Sequence, residues 1–278
     1  MSVPPAAATR DESFARAYGP WALIAGASEG VGAEFARQLA AKGISCVLVS
    51  RRAASLNSLG AELREHHGVE TRTVALDLSL PDAGETLARA TTDLQVGLLV
   101  FVAGSDPQGA RFVDVPLADW LALTRRNVDT LMSCVHGFAV RMKQARRGGI
   151  IIVGSHAAFN GADRLSTYSA TKAFGLNLGE SLWAELKPSG VDVLNLVLDA
   201  TDTPTLRAAL VRHGISIDSV PLALPAEVVG VGLARLGHGP TLIWGGDQKT
   251  EHPFQSDEAR RRRVVDISKR LSLFYGDA

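Results

Sequence analysis

Cysteine is scarce in this sequence, with Cys46 and Cys134 the only two among 278 residues. Both lie inside apolar runs, and neither belongs to a spacing typical of a metal site. Two isolated cysteines cannot form the dense disulfide framework of a small secreted scaffold. The sequence therefore predicts buried, reduced thiols, no metal site and a cytoplasmic protein.

Long apolar runs and an excess of charge are absent as well. The longest apolar runs, such as "VGLLVFVAG", reach about half of the ~20 residues that a membrane helix requires. The first residues, "MSVPPAAATRDE", lack the apolar core of a signal peptide. Lys plus Arg and Asp plus Glu both number 29, so the formal net charge is zero and gives no general attraction to nucleic acid. We therefore expect neither a membrane nor a nucleic-acid partner.

Short apolar runs alternate along the chain with longer segments of helical period. The runs predicted as strands span residues 21–26, 45–50, 71–77, 97–104, 149–155, 191–199 and 241–244. The segments predicted as helices span residues 30–42, 55–66, 81–93, 116–146, 168–187 and 225–236. This alternation predicts an α/β fold, a doubly wound (Rossmann) sheet of seven mainly parallel strands with helices on both faces. Ligands bind such a sheet at the carboxyl ends of its strands.

The segments outside this alternation set the predicted domain boundaries. Residues 1–18 are expected to form a flexible N-terminal tail, residues 19–250 a single domain, and residues 251–278 a C-terminal helical extension with an apolar stripe at residues 264–274. Residues 200–224 lack a clear period, and such an irregular stretch in a compact domain is often a functional lid. Its apolar side chains suit a bulky hydrophobic substrate, although they could instead pack the segment onto the domain.

The stretch "GASEGVG" places three glycines within seven residues, where the first predicted strand passes into a helix. The free N–H groups and positive dipole of a helix N-terminus attract anions, and glycines let a pyrophosphate approach the backbone. The candidate cofactor loop comprises Gly26, Ser28, Glu29, Gly30, Val31 and Gly32. The spacing differs from the G-x-G-x-x-G fingerprint, so a simple tight turn is the alternative.

Two arginines follow the second predicted strand, where an acidic residue would bind the ribose 2′-hydroxyl of NAD. Arg51 and Arg52 stand there instead, and a guanidinium matches a 2′-phosphate well. The pattern favours NADP(H) over NAD(H), whereas Glu29 in the loop adds a nearby negative charge that opposes this choice. Solvent-exposed arginines without a ligand are the alternative.

Two further strand ends carry residues suited to a dinucleotide. Asp77 and Leu78 follow the third strand, and the carboxylate could accept a hydrogen bond from the adenine amino group or cap the next turn. Ala103 and Gly104 end the fourth strand, where small residues leave room for a cofactor. We count all four among the candidate cofactor-binding residues.

The stretch "STYSATKAF" carries the candidate chemistry. Tyr168 and Lys172 are four residues apart, so they share one face of the predicted helix. An ammonium near the phenol lowers the tyrosine pKa and makes Tyr168 a usable general acid or base, although such a pair could also be an ordinary surface pair. Ser155, at the end of the fifth strand, could hold a substrate carbonyl oxygen. Asn127 lies within a predicted helix that asparagine does not favour, which indicates either a functional or an exposed position.

At these residues the sequence resembles the short-chain dehydrogenase/reductase family, in its shorter, non-extended branch. The resemblance covers about residues 20–247. The glycine loop looks like the family's cofactor loop, and "VAG" resembles the end of its Asn-Asn-Ala-Gly element. "DATDTP" is similar to the stretch beside the nicotinamide, which adds Thr201 and Thr203 to the cofactor-binding residues. The family's catalytic tetrad falls on Asn127, Ser155, Tyr168 and Lys172.

The resemblance implies an oxidoreductase that moves a hydride between a nicotinamide cofactor and an alcohol or carbonyl compound. In reduction, Tyr168 would donate a proton to the carbonyl oxygen and Ser155 would orient that oxygen. Lys172 would lower the Tyr168 pKa and bind the ribose hydroxyls, so Tyr168 and Lys172 also count as cofactor-binding residues. Asn127 would hold a water, and Thr203 would contact the nicotinamide amide.

The predicted protein is thus an NADP(H)-dependent secondary alcohol or ketone oxidoreductase for a bulky hydrophobic small molecule of steroid, terpenoid or acyl type. The family implies a homodimer or homotetramer built through two long helices. The alternative is a non-catalytic NADP(H)-binding redox regulator on the same fold. Such a regulator has little need of the full tetrad, so the intact set favours the enzyme.

Overall fold

The computed structural model describes residues 12–106, 109–212 and 214–245, together with residues 266 and 269. Within them the strands are β1 (Trp21–Ala25), β2 (Ser45–Ser50), β3 (Thr71–Ala75), β4 (Val96–Phe101), β5 (Gly148–Ser155), β6 (Val191–Leu198) and β7 (Thr241–Ile243). The α-helices are α1 (Glu12–Tyr18), α2 (Gly30–Ala41), α3 (Ala53–His67), α4 (Ala83–Ala90), α5 (Leu117–Thr124), α6 (Thr130–Ala145), α7 (Ser166–Leu186), α8 (Pro204–Arg212) and α9 (Pro225–Arg235). Single 3₁₀ turns span Phe112–Asp114, His156–Phe159, Lys187–Ser189, Ile217–Ser219 and Leu236–His238.

The strands form one parallel sheet in the order β3-β2-β1-β4-β5-β6-β7. Every residue of β4 is buried, as expected of a central strand covered on both faces. The buried side chains form two clusters, one on each face of the sheet. The predicted doubly wound α/β fold is confirmed, and its order reverses between β1 and β4, the position at which such sheets bind ligands.

The register of the sheet and the packing of α2 place candidate site residues at the carboxyl ends of the strands. Strands β5 and β6 pair over eight residues each, so Ser155 lies opposite Leu198 at their carboxyl ends. The apolar stripe of α2, with Val31, Phe35 and Leu39, is buried against the sheet as its spacing predicts. That burial fixes the start of α2 beside the carboxyl end of β1.

The helix predicted over residues 116–146 is not continuous. A π-helical turn, Arg125–Asp129, joins α5 to α6. A π-helical turn inserts a residue into the helical repeat and is common at functional sites. Hydrophobic periodicity does not reveal it, because the segments on either side keep the ordinary period.

Two boundary predictions are wrong in part. Residues 12–18 of the expected flexible tail form α1, whose Tyr18 is buried and donates a 2.7 Å hydrogen bond to Asp192 Oδ2. The expected irregular segment 200–224 contains α8, so it is partly helical. The C-terminal helical extension and its stripe lie outside the described residues, apart from residues 266 and 269.

Both cysteines are buried and unpaired, as predicted. Burial raises the pKa of Cys46 and of Cys134 to about 12, so both remain protonated thiols at neutral pH. Among the described residues, no helix has the length and apolar character needed to span a membrane. The described residues also contain no cluster of three or more His, Cys, Asp or Glu side chains that could bind a metal ion.

Candidate active site

A cleft of about 1130 Å³ opens along the carboxyl ends of the central strands. This carboxyl-end cleft exceeds the roughly 300–1,000 Å³ of ordinary ligand pockets. The predicted site residues that line it are Gly26, Ser28, Glu29, Gly30, Val31, Gly32, Arg51, Arg52, Asp77, Leu78, Ala103, Gly104, Ser155, Tyr168, Lys172, Thr201 and Thr203. Asn127 is buried behind this lining. Tertiary structure thus brings together residues that are up to 177 positions apart in the chain, from Gly26 to Thr203.

Close backbone packing explains the glycines at the start of the loop. Gly26 has a φ of +98°, and a Cβ there would lie 2.8 Å from the backbone nitrogen of Ala103. A Cβ on Gly32 would lie 1.9 Å from the carbonyl oxygen of Gly26. The tight turn is therefore real. It does not exclude anion binding, because α2 begins at Gly30 and the side chain of Glu29, which precedes it, does not cap the helix N-terminus.

The second arginine after β2 is held by the glycine loop. Arg52 Nη2 donates hydrogen bonds to Ser28 Oγ at 2.9 Å and to Glu29 Oε2 at 2.5 Å. Arg51 is exposed, and both arginines line the cleft. The positive charges predicted to bind a 2′-phosphate are thus present at the cleft, with Glu29 beside one of them.

Residues that follow β3 and β4 also line the cleft. Asp77 Oδ1 accepts hydrogen bonds from the Ser79 backbone N–H at 2.9 Å and its hydroxyl at 2.7 Å, which is the turn-capping role. Gly104 has a φ of +130°, and a Cβ on it would lie 2.7 Å from Asn127 Oδ1. A larger residue at position 104 would therefore displace Asn127 or fill the cleft.

Tyr168 and Lys172 lie one helical turn apart on α7 and both face the cleft. The Lys172 Nζ lies 5.7 Å from the centroid of the Tyr168 ring and donates a 3.0 Å hydrogen bond to the Val153 carbonyl oxygen. Burial, reinforced by the positive charge of Arg126, lowers the pKa of Lys172 to about 8. An ammonium in a desolvated position acts strongly on a neighbouring phenol.

Ser155 is oriented by the turn that follows β5. Its hydroxyl oxygen accepts a 3.2 Å hydrogen bond from the Ala157 N–H. The hydroxyl hydrogen is then available to donate to an oxygen in the cleft. The sequence predicted this hydroxyl at a strand end, but not the N–H that orients it.

Asn127, in the π-helical turn, is hydrogen-bonded to helix α7. Its Nδ2 donates to the Gly104 carbonyl oxygen at 3.3 Å and to Thr171 Oγ1 at 2.9 Å. The Thr171 hydroxyl in turn donates to the Tyr168 carbonyl oxygen at 2.9 Å. Asn127 therefore links the loop after β4 to the helical turn that carries Tyr168 and Lys172. Of the two sequence interpretations, an exposed position is excluded because Asn127 is only 4% exposed.

Sequence reasoning missed Arg126, which also lines the cleft. Its Nη2 donates a 2.7 Å hydrogen bond to the Ser105 carbonyl oxygen, and its Nε is buried without a partner among the described residues. Burial, together with the charge of Arg51, lowers the Arg126 pKa, whereas Asp77 and Asp106 raise it. No motif marks this arginine; its position before a helical Asn127 is the one available signal.

The end of β6 contributes the last predicted residues. Thr201 is buried and donates a 2.9 Å hydrogen bond to the Asp199 carbonyl oxygen. Thr203 Oγ1 accepts from the Leu206 N–H at 3.2 Å, in the first turn of α8. Asp199 Oδ1 accepts from the Ala200 N–H at 2.8 Å, and its other oxygen lies 3.9 Å from Nδ1 of the cleft-lining His156.

The apolar wall of the cleft differs from the prediction. The apolar side chains that line it include Phe159, Leu165, Leu206 and Ala209, with Leu198 at the end of β6. In the described part of the 200–224 segment, Leu206 is the large apolar side chain that reaches the cleft. Leu210 is buried away from it and Val211 is 79% exposed, so most apolar residues of this segment do not form a substrate wall.

Comparisons with known proteins agree with this geometry. The family model described as short chain dehydrogenase matches residues 20–212. The chain is 36% identical over 263 residues to a 7beta-hydroxysteroid dehydrogenase of Collinsella aerofaciens, covering 94% of this chain and 98% of that protein.

Solved structures give the same result. A structure from work on 7beta-hydroxysteroid dehydrogenase stereoselectivity matches with a TM-score of 0.81 and 33% identity, over 91% of this chain and 99% of the other. A short-chain dehydrogenase from Sphingobium yanoikuyae in complex with NADPH matches with a TM-score of 0.73 and 30% identity, over 94% and 96%. The chain therefore belongs to the short-chain dehydrogenase family.

Proposed function

We propose that this protein is an NADP(H)-dependent oxidoreductase that interconverts a hydroxyl and a keto group on a steroid-like substrate. One observation carries the proposal: Ser155, Tyr168 and Lys172 face the same cleft as the glycine loop at the start of α2. The bound nicotinamide supplies the hydride chemistry, and the protein supplies binding, orientation and proton transfer.

Tyr168 is the general acid in reduction and the general base in oxidation. The Lys172 ammonium stabilises its phenolate, and Ser155 donates its hydroxyl hydrogen to the substrate oxygen. Asn127 acts through Thr171, because that hydrogen-bonded pair fixes the helical turn carrying the Tyr168 carbonyl group. Asn127 is thus a positioning residue in this proposal.

The residues around the glycine loop fit a phosphorylated dinucleotide. The uncapped N-terminus of α2 suits the pyrophosphate, and Arg51 and Arg52 suit a 2′-phosphate. The NADPH complex of the Sphingobium yanoikuyae relative supports this choice of cofactor. Thr201, Thr203, Asp77 and the small residues after β4 complete the proposed cofactor contacts.

The choice of a steroid-like substrate rests on the relatives and on the cleft. The Collinsella aerofaciens relative is a 7beta-hydroxysteroid dehydrogenase that aligns over nearly the whole chain. Phe159, Leu165 and Leu206 supply apolar lining to the same cleft as Ser155 and Tyr168. A rigid, mainly apolar ring system with one reactive oxygen matches this combination of wall and polar centre.

The first experiment is a fluorescence titration of the purified protein with NADPH and NADH, followed by turnover assays with oxosteroids. We expect tighter binding of NADPH and reduction of at least one oxosteroid. Tighter binding of NADH would overturn the cofactor assignment, and failure to bind either would overturn the enzyme proposal. Binding of NADPH without turnover of any alcohol or ketone would favour the redox regulator.

Tyr168→Phe tests the assignment of the proton donor. Removing the phenol hydroxyl should lower kcat by about 10²- to 10⁴-fold, the usual contribution of general acid catalysis. Affinity for NADPH should stay within about twofold, because the aromatic ring is kept. The matched control is Ser166→Ala at an exposed position of the same helix, which should retain activity. A fully active Tyr168→Phe enzyme would contradict the assignment.

A further inference from the structure

Glu29 connects Arg52, which follows β2, with Thr205 in the 200–224 segment. Its Oε2 accepts the 2.5 Å hydrogen bond from Arg52, and its Oε1 accepts a 2.8 Å hydrogen bond from Thr205 Oγ1 in the first turn of α8. Partial burial alone raises the pKa of Glu29, but the bonds from Arg52 and Thr205 outweigh it and lower that pKa. Glu29 is therefore a carboxylate of the cofactor loop that is held between Arg52, after β2, and the 200–224 segment.

The Glu29 carboxylate is hydrogen-bonded to an arginine that is proposed to bind the 2′-phosphate. Of Arg51 and Arg52, it is Arg52 that contacts the glycine loop. Its Nη2 donates hydrogen bonds to both Glu29 and Ser28. A phosphate bound to this guanidinium would lie near a second negative charge, and like charges at short range repel. Glu29 therefore opposes 2′-phosphate binding for as long as it stays beside Arg52.

The position of Thr205 is set by the 200–224 segment. The two ends of this segment pair with each other, since the Ala223 N–H donates to the Ala200 carbonyl oxygen at 3.0 Å and the Asp202 N–H donates to the Ala223 carbonyl oxygen at 2.9 Å. Thr203 packs against the glycine loop, because a Cβ on Gly30 would lie 2.8 Å from its methyl group. The first turn of α8 thus rests on the loop, with Thr205 directed at Glu29.

We propose that Thr205 positions Glu29 against Arg52, so that the 200–224 segment sets how strongly the protein discriminates between cofactors with and without a 2′-phosphate. This inference rests on the proposed dinucleotide site. Thr205 acts through Glu29 and is a positioning residue for cofactor specificity. Reciprocity requires that binding a 2′-phosphate at Arg52 weakens the hold of Glu29 on α8.

Calorimetric titration with adenosine 2′,5′-bisphosphate (2′,5′-ADP) and 5′-AMP tests this, because these probes differ only in the 2′-phosphate and lack the nicotinamide. The variants are Glu29→Gln, Thr205→Val, their combination, and Arg52→Ala. Glu29→Gln should raise the affinity for 2′,5′-ADP by about fivefold and leave that for 5′-AMP within about twofold, in keeping with an exposed ion pair. Thr205→Val should raise the ratio of the affinity for 2′,5′-ADP to the affinity for 5′-AMP by about threefold.

The combined variant distinguishes positioning from a separate effect. Thr205→Val should change the ratio no further once Glu29 is glutamine, since its effect passes through the carboxylate. The control Glu34→Gln, a carboxylate on α2 that accepts a hydrogen bond from Gln38, should leave the ratio unchanged. Thermal unfolding of each variant shows that the fold is retained.

Several results would overturn the inference. Equal changes in both affinities for Glu29→Gln, an unchanged ratio for Thr205→Val, or additive effects in the combined variant would each do so. The proposed NADP(H) preference fails separately if the wild type binds 2′,5′-ADP no tighter than 5′-AMP and Arg52→Ala changes neither affinity. A wild type without preference that acquires one on Glu29→Gln would support the inference and contradict the cofactor proposal.

Discussion

At the scale of single residues, Lys172 combines an energetic cost with a proposed function. Its ammonium is placed among apolar and cationic neighbours, and its pKa is lowered to about 8. Burying a charge in this way disfavours the folded state while the group is protonated. Functional sites often keep such unfavourable charges, because the same environment strengthens their action on a reacting group.

The depressed pKa of Lys172 predicts a pH-dependent stability. In the window between about pH 8 and its unperturbed value near 10.4, the unfolded chain binds more protons than the folded chain. The free energy of unfolding should therefore rise with pH across this window, by about 3 kcal/mol at most, relative to Lys172→Met. Denaturant unfolding of the cofactor-free proteins at several pH values measures the difference.

Lys143→Met serves as the control, because Lys143 is an exposed lysine on α6. It should leave the slope of stability against pH unchanged. Parallel curves for the wild type and Lys172→Met would show that Lys172 keeps its ordinary pKa in the folded protein. The same measurement with Arg126→Met would test whether the neighbouring guanidinium contributes to the shift.

Residue types and spacing predicted much of the candidate site. Residues four apart share a helix face, and in the structure Tyr168 and Lys172 both line the cleft. Their catalytic roles stay a prediction that Tyr168→Phe tests. The partners of Asn127 and the presence of Arg126 could not be predicted, because both depend on which loops the sheet brings beside the π-helical turn.

At the scale of elements, the junction of β1 and α2 depends on glycine for reasons of packing. Gly32→Ala should destabilise the protein strongly, because its Cβ would lie 1.9 Å from the Gly26 carbonyl oxygen, a backbone atom that cannot turn aside. We expect a loss of about 2–4 kcal/mol, typical of severe overpacking and strain. Chemical denaturation gives the value.

Gly137→Ala is the matched control within α6. A Cβ at Gly137 would meet nothing within 4 Å, so alanine should stabilise the helix by about 0.5–1 kcal/mol. If Gly32→Ala lowers the free energy of unfolding and Gly137→Ala raises it, close contact at Gly32 is the reason that the loop requires glycine. A tolerated Gly32→Ala would contradict this account.

The end of helix α1 packs at the amino ends of β4, β5 and β6, away from the carboxyl-end cleft. Burial raises the pKa of Tyr18, and its hydrogen bond to Asp192 adds to this effect. Tyr18→Phe should lower the free energy of unfolding by about 1–2 kcal/mol, since a hydrogen bond to a charged group is lost. Cofactor affinity should not change, because Tyr18 does not line the cleft.

The variant Tyr18→Phe/Asp192→Asn completes a double-mutant cycle for this contact. The two single substitutions should cost more in sum than the double variant, as expected of directly paired groups. Simple additivity would mean that α1 docks mainly through its apolar side chains. A sequence pattern of seven residues after a polar tail is too short to reveal this docking, which depends on a partner 174 positions away.

At the scale of the whole molecule, α5 and α6 carry several exposed apolar side chains. Leu117, Leu121, Met132 and Val140 are between 43% and 63% exposed. The family resemblance predicts that long helices form a homodimer or homotetramer, and apolar patches of this kind suit such an interface. We therefore predict an oligomer in solution.

Sedimentation velocity measures the oligomeric state. Leu121→Lys combined with Val140→Lys should shift the protein toward the monomer, because each lysine places a charge in the interface. Val211→Lys, at a 79% exposed position on α8, should leave the oligomer intact. A monomeric wild type, or an oligomer unaffected by the paired lysines, would contradict the prediction.

The order of strands and helices follows from the sequence by itself, because apolar runs and helical periods are local properties of the chain. The same holds for the glycine loop and for the shared face of Tyr168 and Lys172. Tertiary structure alone decided that residues 12–18 dock as a helix, that a π-helical turn carries Asn127, and that Thr205 reaches Glu29. These features depend on contacts between distant segments, whose energies exceed the weak local preferences that sequence patterns record.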